Sequence, residues 1–100
     1  MRPLGKTSYG VKIISLGGES AIKGDDHQEA RRIIHRALDL GINYIDTAPA
    51  YFTSDDSISE VRIGEVIADG RRDEFYLATN TDRRTSRDAL SQLEVSLTRL

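Results

Sequence analysis

The sequence predicts an α/β fold built from parallel βα units, on three observations. Short strand-prone runs alternate with amphipathic helical stretches, in the order strand, helix, strand, helix, strand, helix. Glycines punctuate the changeovers, and both prolines, Pro3 and Pro49, stand outside the periodic stretches. The chain has 100 residues, 38% apolar and 30% charged, which allows one small globular domain.

The elements follow in order. Arg2 to Leu4 is expected to pair with part of Val11 to Ile13, with Gly5 to Gly10 as the hairpin loop. The strand-prone runs are Val11 to Leu16, Ile42 to Asp46 and Phe75 to Thr79, each a typical strand length. In the first helix Ala30, Ile33, Ile34, Ala37 and Leu38 recur at helical spacing. Asp26 with Glu29 three residues on reads as its N-terminal cap, and Gly41 as its left-handed stop. The second helix is expected from near Ser57, with Ile63, Val66 and Ile67 as its apolar stripe and Gly70 as its end. The third opens at Thr85-Ser86 with Asp88 in its first turn, and Leu90, Leu93, Leu97 and Leu100 form one apolar face.

Leu100 lies on that face with no capping residue after it. Three parallel strands would also leave two open edges. The expectation is therefore a piece of a larger sheet or barrel, residues 1–100 being its N-terminal part. A small self-contained open sheet, with helices on both faces, is the rival fold. In parallel α/β architectures functional groups collect at the carboxyl ends of the strands. That rule points to Gly17-Gly18, to Asp46 through Phe52 and to Asn80 through Arg84.

Composition excludes several classes. With no cysteine there is no disulfide framework and no thiol nucleophile. No apolar run is long enough to span a membrane, and no leader-like stretch follows Met1, so a cytoplasmic setting is expected. Lys and Arg total 14 against 16 Asp and Glu, so the basic excess needed to bind a phosphate backbone is absent. Arg71-Arg72 and Arg83-Arg84 read as solvated loop pairs, and His27 beside Asp25 and Asp26 as a solvated helix start rather than a metal site. His35 falls on the polar face of the first helix. Lysine occurs only at positions 6, 12 and 23.

The segment Gly41-Ile42-Asn43-Tyr44-Ile45-Asp46-Thr47-Ala48-Pro49-Ala50-Tyr51 resembles the aldo-keto reductases: a strand ending in Asp, then a loop presenting Tyr five residues later. Its surroundings agree in order. Leu4-Gly5-Lys6-Thr7 resembles the family's hairpin, Leu16-Gly17-Gly18 the turn after its first barrel strand, and Ile34 to Gly41 its first helix. Ser59-Glu60 with Ile63-Gly64-Glu65 is similar to its second helix, Tyr76-Leu77-Ala78-Thr79 to its third strand, and Leu93-Glu94 with Ser96-Leu97 and Arg99-Leu100 to its third helix. The resemblance implies an incomplete (β/α)8 TIM barrel: the N-terminal hairpin plus the first three βα units. It implies an NADPH-dependent oxidoreductase acting on small-molecule aldehydes or ketones.

It also implies site residues. Carbonyl reduction needs a hydride on carbon and a proton on oxygen. A phenol is a reluctant acid near neutral pH, its free pKa being about 10, and a nearby ammonium makes it a better one. The family set is Asp, Tyr, Lys and His. Asp46 matches the Asp, which holds the ammonium and lines the nicotinamide pocket, and Tyr51 matches the proton donor. Gly17 and Gly18 would let the backbone approach the nicotinamide, though a plain tight turn uses glycine equally. Tyr44, Tyr9 and Tyr76 are expected to be structural. Where the family has Lys this sequence has Asn80, and the family His and phosphate-gripping loops belong to later units. The chain alone is expected to be inactive and to self-associate through its open strand edges. Two other readings stay open: a degenerate non-catalytic relative, and a cofactor-sensing interaction subunit.

Overall fold

The computed structural model describes residues 1–55 and 58–100. Strands β1 (Arg2–Pro3) and β2 (Gly10–Val11) form the antiparallel hairpin, with Arg2 opposite Val11 and Pro3 opposite Gly10. The Leu4 N–H donates to the Tyr9 carbonyl at 2.8 Å and closes the loop, in which Gly5 takes φ +56°. Tyr9 then stacks on Tyr76, ring centroids 4.6 Å apart, so the hairpin leans on the third barrel strand.

Three short strands make the parallel sheet: β3 (Leu16–Gly17), β4 (Tyr44–Asp46) and β5 (Tyr76–Ala78), in the order β3-β4-β5. The expected run Val11 to Leu16 is thus not one strand. Its start pairs antiparallel in the hairpin and its end pairs parallel with β4. The two pairings belong to separate sheets, and between them Ile13 and Ile14 are exposed.

Helix α1 (His27–Asp39) starts where Asp26 Oδ1 accepts from the Glu29 N–H at 2.9 Å. It stops at Gly41, φ +82°, where Gly41 N–H donates to Leu38 O and Ile42 N–H to Ala37 O. That pair of bonds satisfies the last carbonyls and needs a residue at ease with positive φ. Helix α2 (Ser59–Val66) continues through a wide turn, Ile67–Arg71, in which Gly70 takes φ +91°. The expected start at Ser57 lies outside the described residues. Helix α3 (Ser86–Arg99) is capped by Thr85, whose hydroxyl accepts from the Asp88 N–H at 3.2 Å.

One cluster forms the core: Ile22, Ile34, Leu38, Ile45, Ile63, Val66 and Phe75, with Leu16, Ile67, Leu77 and Leu100 against it. Each fully buried aliphatic side chain contributes about 1.5–3 kcal/mol relative to exposure. The helices share this cluster with β4 instead of dividing between two faces, which removes the open-sheet rival. The third helix does not bury its leucines. Leu90, Leu93 and Leu97 are exposed, while Ser96 is buried and Leu100 reaches the core. The reason is Gly64, where a Cβ would overlap the Arg99 carbonyl oxygen. The glycine brings the end of α3 onto α2 backbone to backbone, and the leucine face is turned away.

Polar contacts join α1 to the turn after α2. Arg31 and His35 meet the Asp69 carboxylate at 2.7 and 3.1 Å, and Arg31 Nε lies 3.6 Å from Glu65. Arg71 pairs with Asp39 at 2.9 Å and Glu74 at 2.7 Å, and it is largely covered, so it is not the solvated loop residue expected. His27 is likewise not a free helix start. Its Nε2 lies 2.9 Å from Glu65 Oε2, and its Nδ1 accepts from Arg62 Nε at 3.2 Å.

Candidate active site

Parallel pairing sets the carboxyl ends of the strands side by side. Gly17 stands opposite Asp46 on one side of β4, and Ala78 opposite Asp46 on the other. The Thr47 N–H continues the ladder by donating to the Ala78 carbonyl at 2.8 Å. The turn after β3, the start of the β4–α2 loop and the segment leading to Asn80 therefore share one rim, as the resemblance implies.

Asp46 closes β4 and is half-buried. After it Thr47 and Ala48 are buried, which anchors the loop, and the Tyr51 N–H donates back to the Ala48 carbonyl at 3.2 Å. That turn presents a half-buried Tyr51 beside the strand ends. Asn80 lies two residues past the end of β5 and is exposed. Among the described residues, the Asp46 carboxylate, Tyr51 hydroxyl and Asn80 carboxamide make no side-chain hydrogen bond to protein.

The two glycines differ. A Cβ on Gly17 would meet nothing within 4 Å, so this position opens onto free space. A Cβ on Gly18 would lie 2.5 Å from the Asp46 carbonyl oxygen and 2.8 Å from Ser59 Oγ. Glycine at 18 thus answers to protein packing behind Asp46.

An open cleft runs from the β4–α2 loop to α3, lined by Pro49, Phe52, Arg83, Asp88, Gln92 and Arg99 among others. Arg83 stands in it with its side chain more than half exposed and 3.6 Å from Asp82, as befits a loop residue. The Thr81 hydroxyl bonds the Gln92 side chain and also accepts from the Arg83 N–H at 3.1 Å, which ties this loop to α3.

Beneath the rim lies a polar layer that sequence reasoning missed. Thr47, Ser59 and Glu60 are fully buried. The Thr47 and Ser59 hydroxyls share a 2.8 Å hydrogen bond, and Thr79 donates to Glu60 Oε1 at 2.7 Å. The available signal was polarity next to each strand end, at Thr47 and Thr79, matched by a Ser-Glu pair opening a helix.

Comparison with known proteins bears on the family and the fold. The Aldo/keto reductase family model matches residues 13–100. The aldo-keto reductase YhdN of Bacillus subtilis is 44% identical over 73 residues, 72% of this chain and 21% of that protein. An aldo-keto reductase of Bacillus halodurans in its holo form superposes with TM-score 0.79 at 31% identity, over 99% of this chain and 35% of that one. An aldo-keto reductase of Klebsiella pneumoniae, solved in complex with NADPH, superposes with TM-score 0.74 at 27% identity, over 89% of this chain and 31% of that one. The chain spans only 21 to 25% of the length of the curated relatives it matches. With a family match over most of its length, and an incomplete (β/α)8 barrel as its fold, the chain belongs to the aldo/keto reductase family.

Proposed function

We propose that residues 1–100 supply the hairpin and first three βα units of an NADPH-dependent reductase of small-molecule aldehydes or ketones, set in the cytoplasm. What supports this reading is the register that sets Gly17 and Ala78 on either side of Asp46, with Tyr51 in the loop that follows and position 80 two residues past β5. NADPH, when bound, supplies the hydride. Gly17, open above, and Asp46 at the strand end fit the nicotinamide end, whereas the groups that would grip the phosphates are not in this chain. Tyr51 delivers the proton to the carbonyl oxygen through its hydroxyl. Asp46 lines the pocket and stands ready to hold a cation.

Position 80 departs from that scheme. Asn80 donates hydrogen bonds but carries no charge. An ammonium about 4 Å from a phenolate is worth roughly 4 kcal/mol at an effective dielectric of about 20. Without it neither Tyr51 nor Asp46 has a cationic partner from position 80. This observation also favours a second reading, a non-catalytic relative that binds nucleotide without turnover, as a cofactor-sensing subunit would.

The test is NADPH oxidation with an aldehyde panel. Residues 1–100 alone should show none. A barrel completed with the remaining units of a relative should show slow turnover that Tyr51→Phe abolishes. Nucleotide binding with no turnover in the completed barrel would select the second reading.

A further inference from the structure

The first turn of α2 reaches the neighbours of all three rim residues. The Ser59 hydroxyl bonds the Thr47 hydroxyl at 2.8 Å, and Thr47 directly follows Asp46. The Ser59 N–H donates to the Tyr51 carbonyl at 2.9 Å. Glu60 Oε1 accepts from the Thr79 hydroxyl at 2.7 Å, and Thr79 directly precedes Asn80. The other Glu60 oxygen accepts from Arg99 Nη1 at 3.3 Å, at the end of α3. Ser59 and Glu60 have no exposed surface.

Burying a carboxylate is costly unless every oxygen is engaged, and here each oxygen has a donor. An apolar pair would pack the same space without that cost, yet would fix no direction at either strand end. Hydroxyl and carboxylate bonds are directional, and they fall on Thr47 and Thr79, beside the strand ends, while the Ser59 backbone N–H holds the Tyr51 carbonyl.

We infer that Ser59 and Glu60 are positioning residues that set the mutual placement of Asp46, Tyr51 and residue 80. The inference rests on the proposed reading of those three as the reacting set. Neither residue touches the reacting atoms; Ser59 acts through Thr47 and through its backbone N–H on the Tyr51 carbonyl, and Glu60 acts through Thr79. A misplacement of about 1 Å costs on the order of a hundredfold in rate, so such a clamp has a catalytic consequence.

The test reads placement by NMR on the chain itself. Thr47→Val and Thr79→Val remove the hydroxyls at nearly constant shape, and Thr47→Ser and Thr79→Ser keep them. Thr47→Val should shift the Asp46 carboxyl carbon, and Thr79→Val the Asn80 side-chain amide. Each serine variant should return its signal towards the wild-type position, and signals of Tyr9 and Lys12 in the hairpin region should stay fixed. Unmoved rim signals, or serine variants that shift them as far as valine does, overturn the inference. Should Thr79→Val unfold the chain, Glu60→Gln carries the test. It keeps an oxygen for Thr79, so the Asn80 signal must hold while the Arg99 guanidinium signal moves; a large Asn80 shift then overturns the inference. These signals do not depend on turnover, so failure of the reductase reading appears in the activity assay and leaves them intact.

Discussion

Asp69 is a residue at which pH should act on this chain. Hydrogen bonds from Arg31 and then His35 hold its carboxyl below the ordinary carboxylate range. The Arg71 bond does the same for Glu74. A depressed acid contributes stability that is present above its unfolded value, about 4, and is lost as pH falls through the lower folded value. Wild type should therefore melt higher than Asp69→Asn near neutrality, and the gap should close in strong acid; a gap that does not change with pH would contradict this. Glu60 makes a different prediction. Glu60→Ala leaves the half-buried Thr79 hydroxyl and Arg99 guanidinium without their acceptor, and should cost about 1–3 kcal/mol in denaturant unfolding. A loss under 1 kcal/mol would show that water reaches the pair. The strand that ends at Asp46 and the turn at Tyr51 were legible in the sequence because both are local. The partners of Glu60 were not, since Thr79 and Arg99 lie 19 and 39 residues away.

Elements were legible where local chemistry fixes them. Asp26 and Gly41 bound α1 through bonds to their immediate neighbours, and Thr85 starts α3 in the same way. Strand β3 was misjudged because Val11 to Leu16 reads as one β-prone run, and that character does not say which partner takes each end. The α3 leucines were misjudged because periodicity names a face without saying what lies opposite. What decides that is Gly64, and a lone glycine in a helix carries no label for a close approach. Gly64→Ala places a methyl against backbone of α3, which cannot rotate aside. It should destabilise by about 1–3 kcal/mol, the usual range for overpacking, and speed amide exchange in the last turn of α3 ahead of α1. Uniform exchange across all helices would contradict the close approach.

At the scale of the whole molecule, three parallel strands leave edges on β3 and β5 unpaired among the described residues, and Leu90, Leu93 and Leu97 are exposed. Unpaired edges and apolar stripes favour association. Sedimentation should show the chain's mass rising with concentration, and a strict monomer with a sharp cooperative melt would count against this. Among the described residues no helix is long and apolar enough to cross a membrane. The barrel class was legible because strand and helix periods alternate along the whole chain, and the helices fall on one shared core as that class requires. The chemistry turns on one position. In a barrel completed with the remaining units of a relative, the turnover of Asn80→Lys against the parent measures whether the rim is a carbonyl-reduction site lacking only its cation. A gain of orders of magnitude with NADPH and an aldehyde, lost again on adding Tyr51→Phe, is the predicted result. An unchanged rate would contradict the roles given to Asn80, Asp46 and Tyr51 together.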